Sequence, residues 1–154
     1  MLAPERQLAA FDLENTIIAS NVVASYAWLA TRRLPTDDRL RFVAKTLAEA
    51  PSLLAQDRRD RSDFLRFFYR RYKDAPVAQV DEDAAEMFSQ LLLAKSFPAA
   101  VRRVREHRRL GHRTVLITGA LDFVVAPLRP LFDDVICAEL GVRDGAYDGQ
   151  LTDV

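Results

Sequence analysis

Two short, uninterrupted apolar runs, about a hundred positions apart and each ending in a polar tip, constrain this chain more than any other feature. Leu8-Ala9-Ala10-Phe11 runs into Asp12, and Thr114-Val115-Leu116-Ile117 runs into Thr118-Gly119. Apolar residues without alternation are what a parallel strand, buried on both faces, requires. Open α/β sheets place their chemistry at the C-terminal ends of such strands. Asp134-Val135-Ile136-Cys137-Ala138 predicts a third strand, and Asp144-Gly145, set between Leu140-Gly141-Val142 and Tyr147, predicts a hairpin.

Between the first two runs the period becomes helical. Val22, Tyr26 and Leu29, then Leu40, Val43 and Leu47, then Phe64, Phe67 and Phe68, then Ala84, Phe88, Leu91 and Leu92 mark roughly four helices with no strand among them. Pro35, Pro51 and Pro76 fall at intervals suited to helix boundaries, while Thr36-Asp37-Asp38 and Asp60-Arg61-Ser62-Asp63 supply capping side chains. Ser96 is placed to cap a further helix that stops at Leu110-Gly111, and another helix is expected through Phe123, Val124 and Leu128. The order strand, helices, strand, helix, strand predicts an α/β fold: a Rossmann-like parallel sheet built from residues 1–18 and 96–154, with an inserted all-helical segment over 19–95. At 154 residues, 49% of them hydrophobic, the chain has the size and composition of one soluble domain.

The balance of charge narrows the function. Lys+Arg and Asp+Glu are equal at 22 each, so no overall field draws the chain to nucleic acid or to an anionic membrane. No apolar stretch approaches the roughly 20 residues that cross a bilayer, so direct membrane insertion is not expected. The single cysteine, Cys137, sits in an apolar run; it excludes an internal disulfide and suits a reducing, cytoplasmic compartment. His107 and His112 flank the Gly111 turn and are expected at the surface, with no metal-ligand neighbour.

Phe11-Asp12-Leu13-Glu14-Asn15-Thr16 sets two carboxylates two residues apart just past a strand, a spacing that points both to one side of an extended segment. A nucleophile and a proton carrier are what phosphoryl transfer through a covalent aspartyl-phosphate requires. Thr118-Gly119 offers a hydroxyl and a backbone N–H at an expected helix N-terminus, where unpaired N–H groups and the helix dipole favour an anion.

Taken together, strand-Asp-x-acid-x-Thr, a helical insert, a helix ending in glycine, strand-Thr-Gly, then strand and hairpin resembles the haloacid dehalogenase (HAD) superfamily, in its phosphoserine-phosphatase-like branch with a helical cap. The resemblance covers nearly the whole chain. It implies that Asp12 is the nucleophile, that Glu14 protonates the leaving oxygen and later activates water, and that Thr118 and Gly119, with Thr16, bind phosphate. It also implies a Mg2+ ion held by the Asp12 carboxylate, the Glu14 main-chain carbonyl and a later aspartate, which would offset repulsion between phosphate and Asp12. Family members usually carry aspartate where Glu14 stands, and the added methylene shifts the proton-transfer atom by about 1 Å. Asn15 replaces a common glycine or serine, and asparagine accepts unusual backbone angles.

The resemblance further places a lysine and an Asp-rich loop beyond Val154, so full activity is expected to need residues past that point, and the first strand is expected to be an exposed edge open to homodimer formation. A glutamate that binds the amino group of phosphoserine matches Asn21 here, which carries no charge, so a different small phosphorylated substrate is expected. The basic stretch containing Arg58, Arg59, Arg61, Arg66, Arg70, Arg71 and Lys73 offers Arg58 and Arg59 as anion contacts, against the plainer reading of a solvated helix face. The nearby aromatics are read as core. An alternative function is a non-catalytic HAD-like accessory or binding module of a larger, lipid-metabolising fusion, for which Met1-Leu2-Ala3-Pro4-Glu5 would suit a junction with an upstream partner domain.

Overall fold

In the computed structural model, which describes residues 7–152, the first apolar run forms β1 (Leu8–Phe11). The opening Met1–Glu5 lies outside the described residues. There follow helices α1 (Val22–Thr31), α2 (Thr36–Arg59), α3 (Arg61–Tyr69), α4 (Val77–Met87) and α5 (Pro98–Arg109), then β2 (Arg113–Leu121), the short α6 (Asp122–Val125), β3 (Asp134–Ala138) and the hairpin strands β4 (Leu140–Arg143) and β5 (Ala146–Leu151). The fold class is α/β, as expected, and the three expected strands form one parallel sheet in the order β1-β2-β3. Its register pairs Leu8 with Arg113 and Phe11 with Leu116, then Leu116 with Val135 and Ile117 with Ile136.

The chain divides into two compact units. One comprises the described residues up to Val22 together with Ala85–Ala138, and the other comprises Val23–Ala84 together with the residues from Glu139 onward. β1, β2 and β3 fall in one unit and α2 and α3 in the other; residues 19–22 and 85–95, expected with the helices, group with the sheet, and the hairpin, expected with the sheet, groups with the helices. Its reason is local: Tyr147 exchanges backbone hydrogen bonds with Asp74 and Ala75, and the Val77 N–H donates to the Gly145 carbonyl.

In the sheet unit, α5 lies against one face, where Phe11 meets His107 and Phe132 with ring centroids 5.9 Å apart in both cases. Leu116, Val104 and Val125 are fully buried. The opposite face, carrying Leu8, Ile117 and Ile136, is open, and β1 is an edge of the described sheet. Cys137 is buried, and its Sγ accepts from a terminal nitrogen of Arg129 at 3.7 Å.

In the helical unit, Tyr26, Phe64, Phe68, Tyr69 and Tyr72 form one aromatic core with centroid separations of 5.2 to 6.2 Å. Burial holds the Tyr72 hydroxyl protonated well above its ordinary range, with Tyr69, Tyr26 and Tyr147 adding to the effect. Asp83, a buried carboxylate, accepts two hydrogen bonds from Arg33, through Nε at 3.1 Å and a terminal nitrogen at 3.0 Å.

Several helix ends depart from expectation. Pro51 lies inside α2 rather than ending a helix. Its missing N–H and ring clash cost about 3 kcal/mol, and the strong helix formers on both sides, with Leu53 buried, carry the helix through. Thr36 is not a cap: Pro35 holds the cap position, and Asp37 and Asp38 instead oppose the helix dipole's positive end. Ser96 does not cap α5 but donates to the Leu93 carbonyl, leaving Phe97 at the cap and Pro98 in the first turn. Asp60 does cap α3, accepting from the N–H groups of Ser62 and Asp63. The helix expected through Leu128 stops after Val125 and tightens into a 3-10 segment, Ala126–Leu131, because Pro127 and Pro130 bring no N–H to it.

The hairpin turn has Asp144 at φ 52° and Gly145 at φ 78°, the geometry that Asp-Gly supplies. Gly149 is more demanding: at φ 77° a Cβ there would stand 2.9 Å from Lys73 Cβ and 3.0 Å from the Arg70 carbonyl oxygen. Gly149→Ala should therefore lower stability by about 1–3 kcal/mol. Gly145→Ala, at a similar φ but with nothing within 4 Å, should cost clearly less. Urea midpoints of the two variants, side by side, check this.

Candidate active site

Asp12 follows the last residue of β1, and Thr118 lies toward the end of β2. Because Phe11 pairs with Leu116, Asp12 comes level with Ile117, and Thr118 is one residue further along the neighbouring strand. With strands about 4.8 Å apart and a rise of about 3.3 Å per residue, the two Cα positions are on the order of 6 Å apart.

Past Asp12 the chain does not stay extended. It curls into a turn held by the Leu13 carbonyl, which accepts from the N–H groups of Ile17 at 3.0 Å and Ile18 at 3.1 Å, while the Asn15 N–H donates to the Ile18 carbonyl at 2.8 Å. Asn15 takes a left-handed φ of 57°, the role its residue type allows. Leu13, Ile17 and Ile18 are buried and anchor the turn, whereas Asp12 and Thr16 are exposed and Glu14 is half-buried. The Ala19 N–H and the Ile17 carbonyl tie the same turn to Lys95 and Phe97. The carboxylates therefore stand on a pinned loop.

Asp12 Oδ1 accepts the Leu13 N–H at 2.8 Å, which fixes the carboxylate's orientation and leaves its second oxygen for other chemistry. The Thr118 hydroxyl accepts the Ala120 N–H at 3.0 Å, so its own proton remains to donate. Thr118 and Gly119 are half-buried. Contrary to expectation, they do not sit at a helix N-terminus: β2 continues irregularly to Leu121, and α6 begins only at Asp122 and is four residues long. The proline-rich sequence after Val125 denies that helix its length, so the dipole contribution expected at Thr118 is absent.

One candidate went unread in the sequence. Asp122 Oδ1 is buried and has no hydrogen-bond partner among the described residues, a condition that costs about 1–3 kcal/mol. An acid four positions past Thr118 carries no motif of its own, so only burial marks it.

Asn21 is exposed just before α1, in the sheet unit, whereas Arg58 and Arg59 are exposed in the last turn of α2, in the helical unit. Asp12, Glu14, Thr16, Thr118 and Gly119 all belong to the sheet unit. His107 and His112 correct an expectation: they are half-buried and adjacent, with Nδ1 atoms 2.9 Å apart. Gly111, at φ 79°, ends α5 with the His112 N–H on the His107 carbonyl and its own N–H on that of Arg108, a Schellman ending that brings the third-last helical residue against the third residue beyond the helix. The pair lies at the far end of β2 from Thr118.

The oxygen donors near Asp12, its carboxylate and the Glu14 main-chain carbonyl, are of the kind a hard divalent cation takes. Among the described residues no group of three or more His, Cys, Asp or Glu is arranged to hold a metal. Mg2+ keeps several waters and binds through one or two carboxylates together with substrate phosphate, so donors of this kind are compatible with it.

The sheet unit thus carries an acid just past the end of one parallel strand and a hydroxyl on the neighbouring one. The chain belongs to the haloacid dehalogenase-like hydrolase family, whose model matches residues 9–154. Among solved structures it is similar to a protein of unknown function from Bordetella pertussis Tohama I, with 22% identity, a TM-score of 0.78 and coverage of 96% of this chain and 66% of that one. It is similar to a substrate-bound phosphoserine phosphatase at 19% identity and a TM-score of 0.64, over 97% of this chain and 63% of the other. A probable phosphoserine phosphatase from Vibrio cholerae matches at 18% identity and a TM-score of 0.64, over 96% of this chain and 41% of its own length. The chain thus spans less than two thirds of these structures. No curated protein matches. No described helix is long and apolar enough to cross a membrane.

Proposed function

We propose that this chain carries the catalytic front of a Mg2+-dependent phosphomonoester hydrolase working through an aspartyl-phosphate on Asp12. The observation that supports it most is the register that sets Asp12 and Thr118 on neighbouring strand ends. In this reading the free oxygen of Asp12 attacks phosphorus, the alcohol oxygen leaves with a proton from Glu14, and Glu14 then takes a proton from the water that releases phosphate. The Thr118 hydroxyl and Gly119 N–H steady the phosphoryl oxygens, with Thr16 beside them. Mg2+, held by Asp12 and the Glu14 carbonyl, would supply charge that offsets repulsion between phosphate and carboxylate. The helical unit serves as the cap, with Arg58 and Arg59 as anion contacts. A neutral Asn21 suits a small phosphate ester without an ammonium group, and the lone buried Cys137 suits the cytoplasm.

Glutamate in place of aspartate at position 14 favours a second reading, a phosphate-binding accessory module. Turnover of p-nitrophenyl phosphate with and without Mg2+, in the chain and in Thr118→Ala, separates the two. Mg2+-dependent turnover that falls about 10² to 10³-fold in Thr118→Ala is expected, the loss typical of one preorganised donor. Phosphate binding without turnover, in this chain and in one extended to the length of its structural neighbours, would leave only the binding module.

A further inference from the structure

Helix α2 presents two distinct faces. Phe42, Glu49 and Leu53 turn toward the helical unit: Phe42 meets Tyr26 at 6.0 Å, Glu49 pairs with Arg71 at 3.0 Å and Leu53 is buried. Roughly 110° around the helix, by its 3.6-residue period, lies a second stripe of Leu40, Val43, Leu47, Ala50 and Leu54. Leu40, Val43 and Leu47, whose spacing marks the helix in the sequence, are 66%, 47% and 69% exposed, and Leu54 is 61% exposed. Their spacing of 3, 4, 3 and 4 is the alternation that keeps an apolar seam facing a partner helix. Four large apolar side chains in one line are not scattered surface residues, and such contiguous patches mark interaction sites.

The charges on α2 say what fits. Asp37 and Asp38 stand in its first turn and Arg58 and Arg59 in its last. A second α2 laid antiparallel meets acid with base at both ends, while a parallel one sets like against like. In one antiparallel register Val43 meets Leu54 of the second copy and Leu47 meets its Ala50, so large residues face small ones at the centre, while Asp37 and Arg58 flank the stripe at its opposite ends. Such a contact is self-complementary about a two-fold axis, as a closed dimer requires.

We propose that α2 is a homodimerisation surface, pairing antiparallel with α2 of a second copy of this chain through the Leu40–Leu54 stripe. This interface is separate from the edge of β1, and it does not depend on the catalytic reading.

The test is size exclusion with light scattering over a concentration series. The unmodified chain is expected to approach twice 17.4 kDa as concentration rises, and Leu47→Lys, which sets a charge into the apolar seam, to stay monomeric with an unchanged circular dichroism spectrum. Joint reversal of Asp37 and Asp38 to arginine should weaken association several-fold, and adding Arg58→Asp and Arg59→Asp should restore it. Orientation is read by Val43→Cys combined with Leu54→Cys. The two positions lie about 16 Å apart on one helix, beyond the roughly 7 Å limit for a disulfide, so oxidation should link two chains, whereas Val43→Cys alone should not. A monomer at every concentration overturns the proposal, as does a dimer that survives Leu47→Lys but is lost when the β1 edge is altered, or linking by Val43→Cys alone.

Discussion

Asp12→Asn should abolish Mg2+-dependent hydrolysis of p-nitrophenyl phosphate, lowering kcat by about four to six orders of magnitude, because in the proposed mechanism the attacking group is the Asp12 carboxylate and an amide oxygen cannot form an aspartyl-phosphate. The fold should not notice. Asp12 is exposed, and the hydrogen bond its Oδ1 accepts from the Leu13 N–H is available equally to the asparagine carbonyl. The thermal midpoint should thus stay within the scatter of an ordinary surface change, about 0.5 kcal/mol. Steady-state kinetics with thermal unfolding on the same preparations is the check. Activity that survives the substitution would move the nucleophile elsewhere; activity and stability lost together would make Asp12 a structural residue.

The second large effect is on stability. Phe68 is 1% exposed, stacks on Phe64 at 5.6 Å, meets Tyr26 edge-on at 5.3 Å and lies under the Arg71 guanidinium at 5.5 Å. Phe68→Ala leaves a cavity at the centre of the helical unit and should cost about 3–5 kcal/mol, a large share of the roughly 5–15 kcal/mol that holds a domain together. In thermal unfolding that is a fall on the order of 10 °C. Phe67, its neighbour, is 47% exposed, and Phe67→Ala should cost less than about 1 kcal/mol. Urea unfolding of the pair measures the contrast; similar losses at both positions would mean that the aromatic core is not where Phe68 places it.

The strands were legible because a buried parallel strand writes an unbroken apolar run, and Leu8–Phe11, Thr114–Ile117 and Asp134–Ala138 do so. Asp144-Gly145 and Asn15 were legible because few residues accept a positive φ. What periodicity could not tell is which apolar stripe faces inward: α2 carries two, and the Leu40 stripe, the more regular, is the exposed one. Nor could turn chemistry tell where a hairpin docks, since that depends on backbone groups of Asp74 and Ala75 rather than on side chains. Pro51 was misread as a boundary because the cost of a helical proline is paid by flanking turns that no local rule weighs. Of the candidate site, the acid and hydroxyl were written in the motifs, whereas the isolated oxygen of Asp122, like the contact of His107 with His112 at the other end of β2, exists only once the backbone bends.

The parallel pairing of Leu8 with Arg113 also sets a timetable. A ribosome adds about 5–20 residues per second, so β1 waits for its partner strand through roughly 5–20 seconds of synthesis, while the intervening helices emerge and can pack among themselves through local contacts. For that interval Leu8–Phe11 is an unpaired apolar strand on a nascent chain. Its two alanines keep it short of side-chain bulk, and Asp12 ends it with a charge, as gatekeeping residues end other strands that must stay soluble before they are paired.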